Sequence, residues 1–274
     1  MSRSIGIFGG GTIATEIARA ISDGTLSAEL AAVYDRHPEN VNRIQALFDQ
    51  ESAPDEADDP SALLEADLVL EAAGQTAVEQ IAVDALSGGR DCMILSVGAL
   101  ADAALRKGVF EAARASEGRL YAPSGAIAGL DAVKTAALTG DLESVALTTT
   151  KPPAGLEGAP YVVDNEIDLA DIDEPTVIFD GPATEAAAAF PSNINVAVAL
   201  SLAGIGPDET AVRIVADPEE ENNVHEITAE GGMGRIETTV RNVPSPTNPK
   251  TSYLAAISAI ETLRGLETSI DIGT

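Results

Sequence analysis

The chain has 274 residues, of which 45% are hydrophobic and 3% aromatic, so it can bury a sizeable core built from aliphatic side chains. Lysine and arginine number 16 against 44 aspartates and glutamates, and the resulting net charge of −28 argues against partners such as nucleic acid or an anionic membrane. The single cysteine excludes an internal disulfide, and we find no signal peptide or membrane-spanning apolar run, so we expect a soluble cytoplasmic protein.

The acidic residues are spread along the whole chain rather than gathered in one tail, and lysines number only four. Concentrated salt screens the repulsion between surface carboxylates within a few ångströms. We therefore expect a halophilic protein that works in a salt-rich cytoplasm.

The first 125 residues alternate apolar runs with segments of helical spacing. We predict strands at 5–8, 30–34, 68–70, 93–97 and 119–122, and helices at 12–21, 38–48, 76–86 and 101–115. The acidic stretch at 53–59 is expected at an exposed edge. This alternation predicts an α/β fold whose residues 1–125 form a Rossmann domain, a doubly wound parallel sheet.

The pattern changes after residue 123, where strands follow one another with fewer helices. We predict helices at 126–138, 183–189, 193–203 and 252–263, and strands at 143–150, 176–179, 210–216, 224–230 and 235–240. The glycine-rich residues 231–234 favour a hairpin turn. Residues 126–250 are therefore expected to form a second α+β domain, with a mostly antiparallel sheet, for catalysis, substrate binding and oligomerisation. The C-terminal helix within 251–274 is expected to pack back on the first domain.

A glycine-rich turn, Gly9-Gly10-Gly11-Thr12-Ile13-Ala14, lies between the first strand and the first helix. The first glycine permits the tight turn, the third lets the backbone approach a pyrophosphate, and Ala14 lets the helix pack close to the strand. The amides at the start of the helix can then bind phosphate. We predict that residues 9–13 bind a nicotinamide dinucleotide.

Asp35 ends the second strand, and its carboxylate can bind both ribose hydroxyls of NAD while repelling the 2′-phosphate of NADP. Arg36 beside it can pair with that phosphate. We predict a preference for NAD with some use of NADP. His37 follows in a loop and is predicted to lie on the surface.

Small residues follow the third and fourth strands, at the edge where open α/β sheets bind ligands. Ala72, Ala73 and Gly98 are therefore predicted to line the cofactor crevice, although ordinary turns are an alternative.

His225 shares one face of its predicted strand with Ile227 and Ala229, while Glu226 and Glu230 lie on the other. The acidic face is expected to be wet, so His225 points toward the core or a cavity. It is either a buried core residue or a group that transfers a proton during hydride transfer.

Three further segments contain polar candidates. Asn193 and Asn195 open an apolar helix, where the first suits a cap and the second a cofactor or substrate contact. Lys250 and Thr251 precede the last helix and can attract an acidic substrate, although a surface lysine is an equal alternative. We predict no metal site.

Several strings resemble the L-aspartate dehydrogenase family, in the same order and over essentially the whole chain. They are the glycine turn, Val-Tyr-Asp-Arg at 33–36, Ser-Gly-Ala-Ile-Ala-Gly-Leu-Asp at 124–131, Phe-Pro-Ser-Asn-Ile-Asn-Val-Ala at 190–197, the segment around His225, and Asn-Pro-Lys-Thr-Ser at 248–252. The interior strings are more specific than the glycine turn.

The resemblance implies an NAD(P)-dependent oxidative deamination of L-aspartate to oxaloacetate and ammonia through iminoaspartate, which can feed NAD biosynthesis. It implies that His225 is the active-site residue, that Ala126 and Asn195 bind the nicotinamide cofactor, and that the protein is a homodimer. Two alternatives stay open. One is another small-substrate reductase, of the homoserine or dihydrodipicolinate type, and the other is a dinucleotide-binding protein without chemistry.

Overall fold

The computed structural model describes residues 2–191, 194–245, 248–270 and 272, without the side chains of residue 244 and residues 248–251. The chain divides into two compact units. One comprises the residues up to Pro123 together with Ala255–Ile272, and the other is centred on Ser124–Leu254.

The first unit is a six-stranded parallel sheet in the order β3-β2-β1-β4-β5-β6. Its elements are β1 (Ser4–Phe8), α1 (Thr12–Ser22), β2 (Glu29–Tyr34), α2 (Pro38–Gln45), β3 (Asp55–Glu56), β4 (Leu68–Glu71), α3 (Gln75–Ser87), β5 (Asp91–Ile94), α4 (Ala103–Ala115) and β6 (Leu120–Tyr121). The predicted Rossmann-like fold class is confirmed, and the acidic stretch does form the exposed edge strand β3. The strand predicted at 93–97 ends at Ile94, because a 3₁₀ helix begins at Val97.

The second unit contains a five-stranded sheet in the order β11-β10-β7-β9-β8, in which only β7 and β9 pair in parallel. Its elements are α5 (Leu130–Ala137), β7 (Leu142–Lys151), α6 (Pro160–Asp164), β8 (Thr176–Pro182), α7 (Ala183–Ala189), α8 (Asn195–Ala203), β9 (Ala211–Ala216), β10 (Asn223–Gly231), β11 (Gly234–Asn242), β12 (Pro244–Ser245) and β13 (Asn248–Ser252). The mostly antiparallel sheet and the hairpin at 231–234 are confirmed.

The helix predicted at 126–138 begins only at Leu130, which corrects the sequence-based assignment. Gly125 and Gly129 have φ values of +65° and +88°, a left-handed conformation that interrupts a right-handed helix. Residues 126–129 therefore form a loop. The short α6, β12 and β13 were not predicted, because such short elements carry too few residues to show a periodicity.

The last helix, α9 (Tyr253–Gly265), contributes to the core of the first unit. Its Ala259 and Leu263 are buried in one cluster with Ile5, Ile17 and Leu30. None of the helices in the described part of the chain is long and apolar enough to cross a membrane.

Candidate functional site

A cavity of about 470 Å³ opens in the first unit where the carboxyl ends of β1, β2 and β4 meet. This edge of a parallel sheet is where α/β folds of this kind bind ligands. Its lining includes six of the predicted cofactor residues, namely Gly9, Gly11, Asp35, Arg36, Ala72 and Ala73. The structure thus brings together residues from three separate turns of the sequence.

The glycine turn has the geometry that a dinucleotide needs. Gly9 has a φ of +103°, and a Cβ there would lie 2.8 Å from the backbone of Ala72. A Cβ on Gly11 would meet only the carbonyl oxygen of Ala72, at 4.0 Å, so this position opens toward the cavity. The helix α1 begins at Thr12 without a side-chain cap, and the amides of Thr12 and Ile13 belong to its positive end. These features fit a bound pyrophosphate.

Asp35 is held in place by three hydrogen bonds, one of which comes from the glycine turn. Its Oδ2 accepts from the amide of Gly10 at 2.6 Å and from Nδ2 of Asn40 at 3.1 Å, and its Oδ1 accepts from the amide of His37 at 2.8 Å. Burial raises the pKa of Asp35, but these hydrogen bonds outweigh it and bring the pKa below its usual value. The cavity wall therefore carries an ionised, fixed carboxylate. Arg36 and His37 beside it are exposed, as predicted for His37.

Arg43 is a second fixed group at this turn, and the sequence analysis did not single it out. Its guanidinium donates to the carbonyl oxygen of Gly10 at 2.7 Å and to Oδ1 of Asn40 at 2.9 Å. Asn40 and Arg43 are three residues apart on α2, a spacing that places them on one helix face. This spacing is the sequence feature that could have indicated the pair. The pair ties the turn to α2.

Glu71, the last residue of β4, is a buried carboxylate that the sequence analysis assigned no role. It is 0% exposed and accepts from the amides of Ala73, Gly74 and Ser96 and from the hydroxyl of Ser96, at distances of 2.7 to 3.0 Å. Burial raises the pKa of Glu71, and these donors act against that rise. The carboxylate thus fixes two turns at the cofactor edge to each other. The predicted residue Gly98 is buried in the 3₁₀ helix of the second turn.

The predicted catalytic residue His225 lies in β10 of the second unit and is 5% exposed. Ile227 and Ala229 on the same face are also buried, whereas Glu226 is exposed, so the predicted orientation of the strand is confirmed. The Nδ1 atom of His225 lies 2.9 Å from Oγ1 of Thr149 on β7. Burial, followed by the charge of Lys151, lowers the pKa of His225 to about 3. The imidazole is therefore neutral, and Nε2 can accept a proton if Nδ1–H donates to Thr149.

The loop at 126–129 is fixed to β11 by side chains. Nδ2 of Asn242 donates to the carbonyl oxygen of Ala126 at 2.9 Å, and its Oδ1 accepts from the hydroxyl of Ser252 at 2.6 Å. Thr238 donates to the carbonyl oxygen of Ala128 at 3.1 Å. A Cβ on Gly129 would lie 2.8 Å from Cγ2 of Thr238, so glycine permits this close approach. The predicted cofactor residue Ala126 is buried in a fixed position.

The remaining predicted residues are placed less completely. Asn195 is the first residue of α8 and is exposed, unlike most of that helix. Asn193 and the side chains of Lys250 and Thr251 lie outside the described part of the structure. In the described ranges, no three His, Cys, Asp or Glu side chains are grouped so that they could hold a metal ion.

Two protein-family models match the chain. Residues 9–123 match the homoserine dehydrogenase NAD-binding domain, and residues 131–266 match the C-terminal domain of aspartate dehydrogenase. The chain is similar to a solved aspartate dehydrogenase from Thermotoga maritima, with a TM-score of 0.79, 27% identity and full coverage of both chains. A homoserine dehydrogenase from Thiobacillus denitrificans shares the fold, with a TM-score of 0.63 and 12% identity over 96% of this chain and 72% of the other.

Similarity to curated proteins extends over the whole length. The chain is 48% identical to the L-aspartate dehydrogenase of Methanosarcina barkeri, over 98% of this chain and 99% of the relative. It is 42% identical to that of Nitrosopumilus maritimus, over 99% and 100% of the two chains. Both matches cover nearly the whole chain and therefore include both units described above. The chain therefore belongs to the L-aspartate dehydrogenase family.

Proposed function

We propose that the protein catalyses the NAD(P)-dependent oxidative deamination of L-aspartate to oxaloacetate and ammonia. The observation that carries this proposal is the buried, neutral His225, which is held at Nδ1 by Thr149. A neutral imidazole is the form that can accept a proton near neutral pH. Membership of the L-aspartate dehydrogenase family indicates L-aspartate as the substrate, and the glycine turn has the geometry to bind the cofactor.

The reaction divides into two steps. A bound nicotinamide cofactor would supply the acceptor for the Cα hydride of aspartate. In the first step, Nε2 of His225 takes the proton that leaves the amino group, so that a C=N bond can form as the hydride leaves. Water then adds to the imine carbon, and ammonia leaves as the C=O bond of oxaloacetate forms. Once His225 has passed its first proton to solvent, it can also accept the proton of that water. Thr149 contributes by holding the imidazole ring in place through its hydrogen bond to Nδ1.

A panel of amino acids tests this proposal directly. We expect the absorbance of the reduced cofactor, NADH or NADPH, to rise with L-aspartate in high salt. It should stay flat with D-aspartate, L-glutamate, L-alanine and L-homoserine. A faster reaction with L-homoserine would instead favour the homoserine-type reductase. Absence of turnover with every substrate, together with tight NADH binding, would favour a non-catalytic dinucleotide-binding protein.

We also propose that the protein uses both cofactors and prefers NAD, because Asp35 and Arg36 both line the cavity. The replacement Arg36→Ala is expected to lower kcat/KM for NADP by about tenfold and to leave that for NAD within about twofold, since only NADP carries the 2′-phosphate. Initial rates with both cofactors measure this. The matched control is Arg264→Ala, which removes an exposed arginine that pairs with Glu261. Equal losses for both cofactors would contradict a role specific to NADP.

The acidic composition supports a second proposal, that the protein is adapted to a salt-rich cytoplasm. With a net charge of −28, we expect it to unfold at about 0.05 M KCl and to stay folded above about 1 M. Circular dichroism across a salt series measures this. A sucrose series of equal osmolality is the control, because sucrose does not screen charge. Full stability at the lowest salt concentration would contradict the proposal.

Two further expectations come from the family resemblance. We propose a homodimer, which light scattering in high salt tests. We also propose that iminoaspartate leaves the enzyme in part before hydrolysis and feeds NAD biosynthesis. A reductive trap such as borodeuteride, added during turnover, would transfer deuteride to the imine carbon and convert released imine to aspartate with deuterium at Cα.

A further inference from the structure

Lys151, the last residue of β7, occupies an unusual position for a lysine. It is 7% exposed, whereas Lys107 and Lys134 are exposed at the surface. A Cβ placed on Gly155 would lie 3.6 Å from Cβ and 3.7 Å from Cδ of Lys151, so the turn at Pro153–Leu156 packs along the lysine stem. A chain that contains only four lysines thus buries one of them.

Lys151 lies on the same side of the sheet as the catalytic candidate. Successive side chains of a strand alternate between faces, so Thr149 and Lys151 share one face of β7. Thr149 pairs with His225 in the register of β7 and β10 and is hydrogen-bonded to its Nδ1. The ammonium is close enough for its charge to lower the pKa of His225. Thr149, His225 and Lys151 therefore form one cluster within the second unit.

A buried ammonium beside an imidazole lowers the stability of the folded protein. Burial disfavours the charged form, and protonation of His225 would add a second positive charge to the cluster. A carboxylate would be attracted to an ammonium and a protonatable imidazole that lie on one face of the sheet. Groups that are unfavourable for folding and gather in this way are typical of a binding site.

We propose that Lys151 binds a carboxylate of the dicarboxylic amino-acid substrate and places that substrate beside His225. This inference rests on the proposed function. The sequence-based expectation that Lys250 and Thr251 contact the substrate stays a prediction, because their side chains lie outside the described part of the structure.

The arrangement couples substrate binding to the basicity of His225. In the free protein, burial first and the charge of the Lys151 ammonium second lower the pKa of the imidazole and keep it neutral. A carboxylate that pairs with Lys151 neutralises this field, so the pKa of His225 rises once the substrate is bound. His225 then becomes a stronger base when there is a proton for it to accept.

Succinate, a dicarboxylate that cannot be oxidised at an amino carbon, provides a test that does not depend on turnover. We expect Lys151→Met to weaken succinate binding to the NADH complex by about 10²-fold in titration calorimetry, because methionine keeps the stem but removes the charge. The affinity for NADH itself should not change. Lys134→Met, which removes an exposed lysine, is the matched control and should bind succinate as the wild type does.

The pH profile of kcat/KM for aspartate provides a second readout. Burial lowers the pKa of Lys151 to about 8. The kcat/KM of the wild type should therefore fall as the pH rises through about 8, because the ammonium loses its proton. Lys151→Arg should move this fall to higher pH. Lys151→Met should raise the pKa of His225 and move the acidic limb upward. Among the described residues, His225 is the titratable group coupled to Lys151. The backbone amide of Asp217, which follows β9, donates to the carbonyl oxygen of Lys151, and the Asp217 carboxylate accepts from the amide of Glu219.

The outcomes separate this inference from the proposed function. Wild-type turnover of L-aspartate, combined with unchanged succinate affinity in Lys151→Met, would overturn the inference alone. Absence of aspartate turnover in the wild type would overturn the proposed function, and the succinate titrations would still decide whether Lys151 binds dicarboxylates. If Lys151→Met does not fold, the alkaline limb of Lys151→Arg decides, and an unshifted limb overturns the inference.

Discussion

Replacement of His225 by alanine is expected to lower kcat for L-aspartate by about 10²–10⁴-fold, the usual contribution of a general acid or base. The physical reason is that Nε2 loses its role as proton acceptor while hydride transfer still requires the amino group to lose a proton. The affinity for NADH should stay nearly unchanged, because the glycine turn belongs to the other unit. Steady-state rates and NADH fluorescence titrations in high salt measure the two quantities.

The second histidine of the chain is the matched control for this variant. His37 is exposed at the rim of the cofactor cavity, and His37→Ala should keep kcat within about twofold of the wild type. Thermal melting of both variants separates catalysis from folding, since alanine at 225 also leaves the buried hydroxyl of Thr149 without its ring partner. Near-normal turnover in a folded His225→Ala variant would remove His225 from the mechanism.

Glu71→Ala is expected to destabilise the protein by about 3 kcal/mol, because three part-buried donors lose their acceptor and each such loss costs about 1 kcal/mol, the low end of the range for buried groups. Three amides, of Ala73, Gly74 and Ser96, lose their acceptor together. The two turns are then no longer held to each other, so the affinity for NADH should fall as well. Urea unfolding and NADH titration in the same buffer measure both effects.

Two further replacements separate the effect of the Glu71 carboxylate from the effect of its side-chain volume. Glu71→Gln keeps the shape and one acceptor oxygen, but it turns an amide NH₂ toward a backbone or hydroxyl donor, so we expect a loss of about 1–3 kcal/mol. Glu79→Ala removes an exposed glutamate of α3 and should be close to neutral. If Glu71→Ala unfolded at the same urea concentration as Glu79→Ala, the buried network would have no energetic importance.

Most of the fold could be predicted because its signals are local. Apolar runs that end in glycine or small residues mark the parallel strands, and the hairpin at 231–234 has its turn residues at the required spacing. The face of His225 followed from strict alternation along β10. The cavity lining was also predictable, because the carboxyl ends of parallel strands meet at one edge of the sheet.

The missed features depend on contacts between distant segments. Glu71 and Lys151 are charged residues at strand ends, where a sequence pattern normally indicates exposure, and only the packed structure buries them. The loop at 126–129 contains helix-forming residues, but Gly129 adopts a left-handed conformation that lets Thr238 approach closely. Neither the burial nor the approach can be inferred from neighbours in the sequence.

The position of α9 has a consequence for the order in which the protein is made. The strands of the first unit leave the ribosome first, but Ala259 and Leu263 complete its core only after the entire second unit has been synthesised. The amide of Ser27 likewise waits for its acceptor, Oε2 of Glu267, at 3.0 Å. The unit whose strands precede the second unit is therefore completed after it, and a nascent chain that stops at Pro123 lacks part of the core of that first unit.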